Sequence, residues 1–262
     1  MTAPATVGGA MSSMADSRRL ERWFFISVAV GVMVLFVVAF APSFIDTSRR
    51  NTPLPLTALV ATHGALGLGW LCLFLTQATL VATGRVAVHR RLGVFGAVLA
   101  AAFVLVGALT QIEQARRGFD LSGDLERATV ARTAVRAQIA NIAPLIFFLV
   151  FAVLVTAALL NRHRPAVHKR LMLLAVLGGL TVTPVVHLLG HWPSLKPVAP
   201  LIILATLLVA LSLSAVHDYV TERRIHPVSG WVAGAVLVSF VVYSVVVVPT
   251  AWFKAFTAAL IR

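Results

Sequence analysis

His63 sits in the apolar stretch ALVATHGALGLGW, where an imidazole needs a hydrogen-bond partner or a ligand. His187 and His191 are four residues apart and share one face of a helix. Gln111, Glu113 and Asn141 fall at the ends of neighbouring apolar runs, on the same side as these histidines. Three chemistries fit such a set. Two neutral imidazoles from different helices can clamp a haem iron from both faces, and Gly64, Gly67 and Gly69 would let a flat macrocycle approach the backbone. His63, His187, His191 and Glu113 can instead hold a transition metal such as zinc, iron or copper through nitrogen and oxygen, HxxxH being a metal spacing. The third reading is an interhelical polar layer without cofactor, worth ~0.6–2 kcal/mol per hydrogen bond.

The elements that position these residues follow from composition. Of 262 residues, 59% are hydrophobic and only 12% charged, which excludes a disordered chain and an ordinary water-soluble domain, so the solvent is lipid. The net charge of +13 would suggest nucleic acid in a soluble protein. Here most Lys and Arg fall in short strips between apolar runs, the pattern that orients membrane helices, and no nucleic-acid partner is expected. Cys72, the single cysteine, excludes a disulfide framework and reads as a small packing residue.

Residues 1–17 are small and polar and read as a disordered cytoplasmic tail, and 18–262 as one membrane domain. Seven apolar runs have spanning length: 23–41, 56–82, 90–112, 139–161, 169–190, 198–219 and 229–252. None alternates as a barrel strand must, so the class is an all-α bundle of seven transmembrane helices. Pro144, Pro184 and Pro249 are expected to kink their spans. Arg18, Arg19 and Arg22, with the basic residues at 85–91, 162–170 and 223–224, place the N-terminus inside and give a multi-pass bacterial inner-membrane protein. On that frame His63 lies about 11 Å below the outer end of its span, and His187 reaches the same outer half. The inner halves show no matching cluster. The segment 113–138 reads as a surface helix or an extension of the fourth span from an N-cap at Asp124, and either as a solvated charged connector or as a contact for other membrane subunits.

A duplication runs through this plan. RVAVHRRL at 85–92 and RPAVHKRL at 164–171 agree at six of eight positions, making the second–third and fourth–fifth spans two copies of one hairpin. A weaker third copy has His226 and Gly230, as the first has His89 and Gly93. His89, His168 and His226 read as interfacial loop residues and the neighbouring arginines as topology determinants facing anionic headgroups.

The combination of His63, GRVAVHRRLG and AVHKRLMLLAV resembles two groups over roughly residues 56–192. One is the b-type cytochromes of the ascorbate-dependent and ferric reductase kind, whose haems lie between helices bearing paired histidines. The other is a set of small bacterial membrane proteins with His-Lys-Arg hairpins, some linked to assembly of terminal cytochrome oxidase. The third and fourth spans here have no outer histidine, so the first resemblance implies at most one haem, on His63 with His187 or His191. The expectation is haem b and electron transfer. The alternative, from another function class, is a non-catalytic accessory or assembly subunit with a structural polar layer, or a His-ligated metal site.

Overall fold

The computed structural model describes residues 7–45, 57–117, 142–190 and 192–260, and these are helical with short turns between. Lipid offers no partner to an open backbone N–H or C=O, so apolar segments of this length close their hydrogen bonds internally. Helix α1 spans Val7–Ile45, α2 Ala58–Ala82, α3 Val86–Arg117 and α4 Leu145–Leu160. Then come α5 at Pro165–Leu180, α6 at Val182–Gly190, α7 at Ala199–Glu222, α8 at Ala233–Val242 and α9 at Ala251–Leu260. One π-helical turn, Val228–Val232, leads into α8 and another, Tyr243–Val247, follows it.

Six helical stretches among the described residues are long and apolar enough to cross a membrane: Leu20–Pro42, Ala58–Ala82, Val86–Arg116, Pro165–Leu189, Ala199–Glu222 and Val228–Val247. The fourth expected span appears as α4, apolar but only 16 residues long. At 1.5 Å per residue it covers about 24 Å, short of the roughly 30 Å of hydrocarbon. Residues 118–141, including Asn141 and the expected helix from Asp124, lie outside the described residues. Pro144 stands just before α4 rather than inside it, which suits a residue without an N–H to donate. Pro184 lies in α6, just past the break at Thr181 that divides α5 from α6, and Pro249 follows the last span instead of kinking it. The first helix starts at Val7, so residues 7–17, expected as a disordered tail, extend it.

The two expected hairpins form, α2 against α3 and α4 against α5. Their turns differ. In the first, Gly84 adopts φ +76°, its N–H bonds to Val81 O, and the Arg85 N–H bonds to Leu80 O, a C-terminal cap that needs a left-handed residue. The second closes without glycine, Arg164 N–H bonding to Asn161 O before Pro165 opens α5. His89 and His168 are the fourth residues of α3 and α5, so they sit on first turns rather than in loops. Continuous with α6, α5 is the centre of the bundle: 72% of the most apolar window of that span is buried, against 6% for Val228–Val247. Cys72 faces outward and does not pack the core.

Candidate functional site

Near the start of α2, His63 is held by rings. It stacks on Phe103 at 5.1 Å between centroids and meets Phe148 edge-on at 5.5 Å. Gly107 of α3 makes this possible, since a Cβ there would lie 2.9 Å from His63 Cε1 and would overlap the Phe148 ring. His187 is buried and packs on Phe40 at 4.6 Å. A cavity of about 50 Å³ separates the two groups, bordered by Phe36, Phe40, His63, Phe103, Phe147 and Phe148 among others.

His63 packs on Phe103 and Phe148 and His187 on Phe40, and His63 and Phe40 line the same cavity, while His191 lies outside the described residues. Glu113 is six residues beyond Gly107 on α3, about 9 Å farther along the helix than the level of His63. Among the described residues no three His, Cys, Asp or Glu side chains lie close enough to share a metal ion. A porphyrin does not fit this packing either. Cofactor pockets occupy about 300–1,000 Å³, and a macrocycle beside His63 would have to displace Phe103 and Phe148. Gly67, expected to admit a flat ring, is already approached by Phe103 and Phe36.

Near the start of α5 and the end of α7 lies a polar cluster that the sequence alone did not reveal. Arg170 is fully buried, with Nε donating to Asp218 Oδ1 at 2.9 Å, Nη1 donating to Ala166 O at 2.8 Å and Nη2 donating to Glu222 Oε1. Asp218 also accepts the His226 backbone N–H at 3.1 Å and a bond from Ser229. With its proton on Asp218, Ser229 receives the Ser214 hydroxyl at 2.9 Å. Beside them His217 places Nδ1 3.3 Å from Asp218 Oδ1, and its ring packs on Phe24 and Phe25 of α1. Lys169 pairs with Glu21 at 2.7 Å, adding a second tie to α1. The signal available was Asp218 and Glu222, one turn apart at the end of an apolar run, with Arg170 in a strip read only as a topology determinant.

A third feature runs between the two halves. His63, Trp70 and Gln77 are seven apart on α2, which puts them on one face. Small residues of α3 oppose them in antiparallel order: Gly107 faces His63, Ala100 shares a cluster with Trp70, and Gly93 faces Gln77 Nε2. Gln77 Nε2 donates to His89 O at 3.2 Å, and the His89 ring stands edge-on to His168 at 6.3 Å. The duplicated histidines therefore meet. His168 Nδ1 bonds to Ala158 O at 2.8 Å, tying α5 back to α4.

No protein-family model, curated protein or solved structure matches this chain.

Proposed function

We propose that this chain is a seven-span subunit of a membrane assembly, with its N-terminus inside and its polar layers serving to hold its own helices. The observation that carries the reading is the last span. Val228–Val247 is 6% buried, yet it presents Gly230 and Gly234 one turn apart, and among the described residues outside its own helical turn no atom comes within 4 Å of a Cβ placed at Gly234. In lipid, helices associate through small residues that let backbones approach, so this face suits a transmembrane helix of another subunit. The inner cluster supports the same reading, because Arg170, Asp218 and Glu222 are spent on one another and fasten α5 to α7.

The test is native electrophoresis of the protein extracted from its own membrane in mild detergent, with an optical spectrum of the same sample. The expected result is migration as part of a larger assembly, lost with Gly234→Leu while the variant remains folded, and no reduced haem band. Migration of the native protein as a lone chain would overturn the proposal. A sharp reduced α-band that disappears with His63→Ala would replace it with haem b and electron transfer.

A further inference from the structure

The two copies of the repeat are packed differently, and the difference lies on one face of α3. Aligned through RVAVHRRL and RPAVHKRL, Arg90 and Arg91 of α3 correspond to Lys169 and Arg170 of α5. In the same register Val94, Phe95 and Val98 correspond to Leu173, Leu174 and Leu177. On α5 this face is closed. Leu173 and Leu174 are 0% exposed and Leu177 1%. Leu174 clusters with Leu207 and Leu211 of α7, while Leu173 and Leu177 cluster with Ala210 of α7 and Ala29 and Val32 of α1. At the basic end of the face Lys169 meets Glu21 of α1, and Arg170 meets Asp218 and Glu222 of α7.

On α3 the same face is bare. Val94, Phe95 and Val98 are 70%, 58% and 65% exposed. Arg90 and Arg91 are exposed too, and among the described residues neither forms an ion pair. The apolar side chains alone demand no protein, because lipid tails are as apolar as leucine. The arginines add the second half of the pattern that seats α7 on α5: an apolar stripe with two cations at one end. Each guanidinium is a planar fork that takes a carboxylate through two parallel hydrogen bonds.

We propose that this face of α3 seats a transmembrane helix of another subunit, apolar along its length and carrying two carboxylates one turn apart at the end level with Arg91. Asp218 and Glu222 stand on α7 in that arrangement, and α7 ends where α5 begins, so the partner helix runs antiparallel to α3. A second copy of this chain does not supply the carboxylates through α1 or α7, since Glu21, Asp218 and Glu222 are taken by its own Lys169 and Arg170. The inference rests on the reading of the chain as a subunit but uses a different helix from the one that bears Gly234.

The test places the photo-cross-linking residue p-benzoylphenylalanine at Val98 of the full chain in its own membrane. The expected result is a discrete adduct whose cross-linked peptide is a transmembrane helix with two Asp or Glu residues one turn apart at its end. Arg90→Glu/Arg91→Glu is expected to lower the adduct at least about tenfold, because like charges then face each other, and lysines in place of the partner's two carboxylates are expected to restore it. Adducts to lipid alone, to a second copy, to another part of the same chain or to a helix without those carboxylates overturn the proposal. So does an adduct that the charge reversal leaves unchanged. Should the reversal prevent insertion, the identity of the peptide captured at Val98 with both arginines intact decides alone. A partner captured at Val98 that stays bound in Gly234→Leu removes the last span as a docking face and leaves this one. Migration as a large assembly without an adduct at Val98 does the reverse.

Discussion

Arg170 Nη2 lies 2.7 Å from Asp218 Oδ1, although 48 residues of chain separate them, and the two side chains are 1% and 0% exposed. An ion pair so enclosed is asymmetric in its energetics. Removing both charges is tolerable, whereas removing one leaves the other without solvent or partner.

Arg170→Met is therefore expected to destabilise the bundle by about 3–5 kcal/mol, read as a fall in thermal or denaturant midpoint in detergent. The double variant Arg170→Met/Asp218→Leu should recover part of that loss. Equal stability of the single variant and wild type would show that water reaches the pair.

Gly107→Ala inserts a methyl group against His63 Cε1 and the Phe148 ring, so a loss of about 1–3 kcal/mol is expected. Gly31→Ala is the control. Nothing lies within 4 Å of its Cβ position, and alanine gains up to about 1 kcal/mol over glycine within a helix. A denaturation series on the two variants should move in opposite directions.

His168→Ala removes the imidazole that bonds Ala158 O and is expected to cost roughly 0.5–1.5 kcal/mol. At the equivalent position of the first hairpin, His89 Nδ1 makes no such bond, so His89→Ala should cost less. Equal losses would show that the two copies are fastened alike.

The number of crossings is open to a simple measurement. If α4 spans the membrane, reporters inserted within 118–138 and between Asn161 and Arg164 report opposite sides, the second being cytoplasmic. The same side for both would leave six crossings.

Much of this architecture was legible in the sequence because hydrocarbon imposes a length and a composition on any helix that crosses it. The hairpins were legible too, since RVAVHRRL and RPAVHKRL repeat before two successive long runs. What composition could not reveal is which member of a repeat turns inward: Arg170 is buried against Asp218 and Glu222 of α7, while its counterpart Arg91 is exposed. The α2 line was hidden for another reason. His63 drew attention as a metal or haem ligand, whereas its relation to Trp70, Gln77, Gly93 and Gly107 appears only once α2 and α3 lie antiparallel in one register.

The central position of the Pro165–Leu189 span, the most enclosed of the six, also governs how the protein can be made. The segments in α1 through α4 leave the ribosome before the one that α1 and α4 pack against. They must wait in the bilayer or at the insertion machinery as loosely associated hairpins, and the bundle closes only when its fifth apolar segment is released. A stalled or truncated chain ending before residue 165 would thus present Glu21 without Lys169, and phenylalanines 24 and 25 without His217, to quality control.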